Sequence, residues 1–375
     1  MDLFRGERAC LERHLPGLDK QLAEVPLLEL ERAGSSGLSL FRAAGGPALL
    51  VPAEHGGAGV RAVDAVRVQR AVGARSPSLA VATTMHHFSV ASLAELAAAN
   101  NGLEWAMLQA VAENRLLLSS GFAEGRPGQH ILRPVMRAVP AEGGLRVSGA
   151  KKPCSLTWSM DLLSASATIE DPGDGPPRLA VVLVPATSEG ISRRAFWRSD
   201  VLAGAESDEV VLDDVFVPEQ LVFYPDGSTG MDPVQSRGFV WFETLIAASY
   251  VGAASALVER VVSAGRGTAA DRADLCLELE AAMAGLERVA LALEEDGVDD
   301  DDLFARALCV RFSVERTLAR VSDAALALAG GMAFIGSSEL AYLLAACRPL
   351  AFHPPSRAAA AESLDAWFAG DRLVL

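Results

Sequence analysis

Basic charge and cysteine are scarce in this chain, and phosphate-cradling glycine patterns are missing. Each shortage removes a class of function. The 33 Lys and Arg face 48 Asp and Glu, a formal charge of −15. A nucleic-acid binder needs a basic footprint, so that role is excluded, and the same repulsion opposes adsorption to anionic membranes. The five cysteines, Cys10, Cys154, Cys276, Cys309 and Cys347, are odd in number and show no CxxC spacing. That argues against structural zinc and fits a reduced cytoplasm. No G-x-G-x-x-G follows a strand-like run, and there is no HExxH or Ser-His-Asp order, so Rossmann and hydrolase sites are not expected. The first residues lack a basic segment followed by an apolar one, so no signal peptide is evident. The apolar stretch nearest to a membrane span, residues 239–258, is interrupted by Glu243 and reads as a buried helix. A cytoplasmic, soluble protein is the expectation. With 375 residues, half of them hydrophobic, it can form two or three domains around a sizeable core.

Hydrophobic periodicity divides the chain into three regions. Residues 1–115 read as a helical N-terminal domain, with apolar residues at helical spacing over 64–72 and again over 91–109. Residues 116–222 read as a central β domain. Short β-prone runs at 116–122, 131–139, 145–148, 162–168, 179–184 and 210–217 alternate with turn-forming segments such as Gly125-Arg-Pro-Gly128. That spacing suggests a small barrel or sandwich. Residues 225–236, rich in Gly, Pro, Ser and Asp, read as a linker. Residues 223–375 then form a C-terminal helical bundle, opening with Phe239, Phe242, Ile246 and Tyr250 on one helix face. The acidic stretch 294–302 is read as a solvated loop between two helices. Helices, strands, then helices again is an α+β order.

Four short motifs in sequence carry a resemblance. They are Val51-Pro-Ala-Glu-His-Gly-Gly-Ala-Gly59, Gly149-Ala-Lys151, Val211-Leu-Asp-Asp-Val-Phe-Val-Pro218 and Ala329-Gly-Gly331. In this order, across nearly the whole chain, they resemble the acyl-CoA dehydrogenase superfamily of flavoenzymes. The resemblance implies a helical N-terminal domain, a β-barrel or sandwich domain and a four-helix bundle. A flavin, FAD or else FMN or a reduced flavin, would lie between the β domain and the bundle. It also implies a homodimer or homotetramer, and an electron acceptor or a flavin reductase as partner.

The resemblance supplies candidate site residues. Ser155 takes the place of a hydroxyl that bonds flavin N5. Pro153 replaces an aromatic that covers the ring, while Phe122 and Ala123 stand in the turn facing the pyrimidine side. Arg266 lies near the usual pyrophosphate anchor, and Gly330 and Gly331 match a late glycine motif. For the base there are two candidates. His353, in Ala351-Phe-His-Pro-Pro-Ser356, stands roughly where the family keeps a glutamate, and imidazole is a suitable base near neutral pH. Glu243 lies within one residue of an alternative base position, on an apolar helix face where desolvation raises a carboxyl pKa. The structural alternatives are a helix-terminating Pro354-Pro355 beside His353, and a Glu243 tilted toward Arg237. His86 and His87 could line the substrate cleft, but read better as a buried helix start with one histidine hydrogen-bonded, and Trp197 reads as β-domain core. The favoured activity is α,β-dehydrogenation of an acyl thioester carried on CoA or a carrier protein. The alternatives are a flavin-dependent monooxygenase, which His353 also suits, and an inactive binding protein.

Overall fold

The computed structural model describes residues 3–99, 102–125, 134–170, 178–225 and 232–374. Seven helices come first: α1 (Arg5–His14), α2 (Leu18–Ala23), α3 (Leu27–Leu30), α4 (Gly37–Ala43), α5 (Ala62–Arg75), α6 (Pro77–Ala99) and α7 (Glu104–Asn114). The periodic stretch expected over 91–109 is therefore shared by two helices, with Gly102 in the gap between them.

Eight strands follow: β1 (Leu118–Gly121), β2 (Arg137–Ala141), β3 (Gly144–Cys154), β4 (Leu162–Ile169), β5 (Arg178–Pro185), β6 (Ile191–Arg194), β7 (Asp208–Pro218) and β8 (Val222–Phe223). They form one sheet in the order β6-β7-β3-β2-β4-β5-β8, with β1 added in parallel to β4 (Leu118 opposite Leu162). β3 runs antiparallel to both β2 and β7, and β4 is antiparallel to β5 but parallel to β2.

The sequence suggests a strand of only 145–148, whereas β3 continues to Cys154. Gly149 explains the extension. Its φ of +149° and a register shift beside it let the strand bend past Met136, which a Cβ would meet at 3.0 Å. β6 and β8 are not visible in the sequence pattern: one is a polar edge strand and the other has two residues. Residues 131–133, part of another expected strand, lie outside the described residues.

The bundle comprises α8 (Pro233–Ser263), α9 (Ala269–Ala292), α10 (Asp300–Ala329), α11 (Gly331–Gly336), α12 (Ser338–Ala346), a 3₁₀ turn (Pro349–Phe352) and α13 (Arg357–Phe368). α8 starts inside the stretch read as a linker. Asp232 caps it by accepting from Val234 N at 2.8 Å, and Pro233 occupies the first helical position, a strong start signal. Its most apolar window is 89% buried within the protein, so α8 is a core helix packed on all sides. Against α5 the two backbones nearly touch. A Cβ on Gly73 would meet Ser249 O at 2.3 Å, and one on Gly252 would meet Arg70 O at 2.4 Å. The acidic stretch after α9 is more than a solvated loop, because Glu294 accepts from Ala62 N at 2.7 Å and from Arg61, fastening the start of α5.

Candidate active site

A cleft of about 830 Å³ opens where α6, the sheet, α8 and the turn around His353 meet. The β region supplies one wall. β1 runs into Phe122 and Ala123, β3 leads through Pro153 to Ser155, and Ser207 precedes β7. Ser155 and Ser207 share a hydrogen bond of 3.0 Å between their hydroxyls. Trp197 joins this wall, its indole N–H donating to Val201 O at 2.9 Å. It was expected in the β-domain core, but the segment between β6 and β7 carries it out to the cleft.

Behind the wall, the Lys151 ammonium donates to Glu124 Oε1 at 2.8 Å and to Ser166 Oγ at 3.1 Å. Lys151 is fully buried, and desolvation lowers its pKa. Glu124 also accepts from Val135 N and Met136 N. This buried pair fixes β3 against the turn bearing Phe122 and Ala123, the two segments that carry the flavin-side candidates.

The helical wall is aromatic. Phe88 of α6 packs edge-on to Phe242 of α8, and Phe242 packs edge-on to the His353 ring, at 5.4 and 5.9 Å between centroids. His353 Nε2 is hydrogen-bonded to the Tyr250 hydroxyl at 3.0 Å. The residue is half-buried, but its ring sits among these apolar groups. Burial, reinforced by the nearby Arg311 charge, pushes the imidazole pKa down to about 3, so His353 is neutral at physiological pH. Burial pushes the Tyr250 phenol up, and it too stays protonated. His353 follows the 3₁₀ turn in extended conformation, held in the turn that contains Pro354 and Pro355.

Five of the nine candidates, Phe122, Ala123, Pro153, Ser155 and His353, therefore line one cleft. The other four do not. Glu243 is fully buried behind the cleft wall. Its Oε2 lies 3.3 Å from Arg311 Nε, and its companion is not Arg237, which pairs with Glu95 and Asp300. Burial lifts the Glu243 pKa to about 8, opposed by the Arg311 charge. Arg266 is exposed in the turn after α8, and Gly330 and Gly331 join α10 to α11. None of these three lines the cleft. His86 is hydrogen-bonded to Pro47 O and accepts from Leu118 N, while His87 is buried without a partner among the described residues. They sit in the middle of α6, not at its start, and both face away from the cleft that Met85 and Phe88 line.

A flavin fits this site. Small-ligand pockets span roughly 300–1,000 Å³ with apolar walls and a few placed polar groups. The flat side chains Phe122, Pro153 and Trp197, with the Ser155 and Ser207 hydroxyls, meet that description on the β side. The fold and the cleft together define a flavin-dependent oxidoreductase.

No family model matches the chain. It is 50% identical over 371 residues, 98% of each chain, to the isobutylamine N-hydroxylase of Streptomyces viridifaciens. Over 206 residues, 53% of this chain and 48% of the relative, it is 29% identical to a dibenzothiophene monooxygenase of Rhodococcus erythropolis. The solved structure of KijD3 in complex with FMN and dTDP-3-amino-2,3,6-trideoxy-4-keto-3-methyl-D-glucose superimposes with a TM-score of 0.84 at 23% identity. That match covers 99% of this chain and 96% of KijD3. The chain belongs to the acyl-CoA dehydrogenase superfamily of flavoproteins, and its cofactor is a flavin. The expected dehydrogenation at a CH–CH bond of an acyl thioester is not supported. The isobutylamine N-hydroxylase and the dibenzothiophene monooxygenase are named for N-hydroxylation and monooxygenation, which favours the monooxygenase alternative.

Proposed function

We propose that the chain is the oxygenase component of a two-component, flavin-dependent N-hydroxylase acting on a small primary alkylamine. A separate reductase would supply its reduced flavin. The observation that carries this reading is the 50% identity over nearly full length to an isobutylamine N-hydroxylase. The cleft supports it, with room for a flavin ring and a small aliphatic group and a neutral imidazole on its helical wall.

The reaction balances as amine, dioxygen and reduced flavin giving hydroxylamine, water and oxidised flavin. One oxygen atom goes to nitrogen and the other to water. When bound, reduced flavin supplies the two electrons that activate dioxygen. The chain's own residues supply the rest. An apolar cleft disfavours an ammonium ion as it disfavours a buried lysine, so the amine binds in its neutral, nucleophilic form. His353 is itself neutral and holds an N–H of the bound amine, with Tyr250 fixing the ring. The proton that leaves nitrogen as the N–O bond forms ends in the water that carries the second oxygen atom; His353, too weak a base at a pKa of about 3 to keep it, orients the N–H. The aromatic side chains Phe88, Phe122 and Phe242 line the cleft and would limit water around the reacting groups. Arg266, the expected pyrophosphate anchor, stands away from the cleft, which suits a transiently held flavin.

The test runs two assays in parallel. One supplies isobutylamine, a flavin reductase, NADH and FMN or FAD under air. The other supplies oxidised flavin and a panel of acyl-CoA thioesters under anaerobic conditions. The proposal requires hydroxylamine in the first and no flavin bleaching in the second. The reverse pattern would restore the dehydrogenase.

A further inference from the structure

Arg311 is fully buried on α10, and all three of its hydrogen bonds run to one turn. Nη1 donates to Pro355 O at 2.6 Å, while Nη2 donates to Leu350 O at 2.8 Å and His353 O at 2.6 Å. Its third nitrogen, Nε, faces Glu243 Oε2 at 3.3 Å. Three carbonyls of one short turn thus converge on a single guanidinium, and a fully buried carboxylate stands behind it. Glu243 and Tyr250 are seven residues apart on α8, two turns and so on the same face of that helix. α8 therefore holds the turn twice: Glu243 holds it through Arg311, and Tyr250 holds it directly through His353.

A guanidinium buried against a carboxyl group that burial keeps largely protonated is expensive to desolvate, and equally large apolar side chains often stabilise a fold as well or better. Stability alone is thus a poor account of it. The planar fork of arginine can bridge separated carbonyls, which the single ammonium of lysine cannot do. We infer that Arg311, seated by Glu243, is a positioning residue that clamps the 350–355 turn and aims His353 into the cleft. Glu243, expected as a base, acts here from behind the wall. The inference rests on the proposed function only where amine turnover is the readout.

Two substitutions loosen the clamp while leaving His353 in place. Arg311→Lys keeps the charge and loses the fork. Glu243→Gln keeps the shape and replaces the carboxyl group facing Arg311 by an amide. The first readout needs neither flavin nor substrate: the titration of the His353 imidazole, followed by NMR in the isolated chain. The groups facing that ring are Phe242 and Tyr250 from α8 and Arg311 from α10. Arg311→Lys draws the positive charge back from the ring, which by itself raises the His353 pKa. Glu243→Gln keeps Arg311 in place, so a rise in that variant reports a ring released toward water. The expected result is a rise of one unit or more in each variant. Unchanged titration in both folded variants overturns the clamp. If Glu243→Gln does not fold, the double-mutant cycle below decides.

The second readout is a double-mutant cycle on hydroxylamine formation. Arg311→Lys should lower turnover at least tenfold in the parent, with little change in reduced-flavin affinity, and less than twofold in a His353→Asn background. Equal factors in both backgrounds would mean a role independent of His353 and would overturn the inference. If the parent shows no amine turnover, the proposed function fails, and the NMR titration still decides the clamp.

Discussion

His353 owes its character to its neighbours. Phe242 and Tyr250 exclude water from the ring, and Arg311 adds a positive charge nearby. A neutral hydrogen-bonding group at the reacting nitrogen is worth roughly 10²–10⁴-fold. His353→Ala should lower hydroxylamine formation by about that factor, while dioxygen still oxidises reduced flavin to give hydrogen peroxide. The ratio of hydroxylamine to NADH consumed measures it.

A second prediction concerns acid. The His353 pKa falls from an ordinary 6.5 to about 3, so between those values the unfolded chain binds more protons than the folded one. Stability from this group therefore falls as pH drops from about 6.5 toward 3. Urea midpoints at pH 7 and pH 5 should show a smaller acid loss for His353→Asn than for the parent. Glu243, raised from 4.5 to about 8, works the other way. Its contribution is present below about 4.5 and is lost as pH rises through 8. Ser155 follows one of the ordered motifs, while Phe122 and His353 were placed by position where the chain departs from the family pattern; all three line the cleft. Arg311 was not legible in the sequence. Its partners are backbone carbonyls some 40 residues away, and carbonyls leave no trace in a sequence. Trp197 was read as core because an aromatic beside a strand run usually is.

Among the elements, α8 does most to define the site. It contributes Phe239, Phe242 and Tyr250 to the cleft while its opposite side packs on α5. That packing depends on Gly252, where an added Cβ would meet Arg70 O at 2.4 Å and Gly73 at 2.8 Å. Backbone cannot step aside as a flexible side chain does, so Gly252→Ala should cost about 1–3 kcal/mol. The urea midpoint should fall with an unchanged slope. Closer to the substrate, Gly238 lines the cleft, and a Cβ there would meet Ser92 Oγ at 2.5 Å. Gly238→Ala should narrow the gap between α6 and α8 and raise KM for branched amines about tenfold, one misplaced methyl group being worth roughly 1–3 kcal/mol. Reduced-flavin binding should be unaffected. The helical character of α8 was plain from its apolar spacing. Its start was misplaced because Pro and Asp read equally well as linker residues and as the cap and first residue of a helix. β3 was cut short for a related reason, since Gly149 looks like a strand end and is a bend within one.

For the molecule as a whole, the order of helices, sheet and bundle was legible because hydrophobic period changes twice along the chain. The reaction was not, since a fold hosts many chemistries and the site decides among them. What weighs against a dehydrogenase is the 50% identity to an amine N-hydroxylase; a histidine where a glutamate was expected suited either chemistry. Met332 and Ile335 on α11 are 79% and 77% exposed, and apolar surface of that kind marks contact sites. The homodimer or homotetramer expected from the family should appear in sedimentation, and Met332→Glu should weaken it.

The most direct test is turnover under ¹⁸O₂. Purified protein, reduced flavin and isobutylamine are mixed in labelled dioxygen, and the product is weighed by mass spectrometry. The account predicts a hydroxylamine carrying one ¹⁸O atom, formed by the parent and lost in His353→Ala. Recovery of unchanged amine, with all of the label in hydrogen peroxide or water, would contradict it.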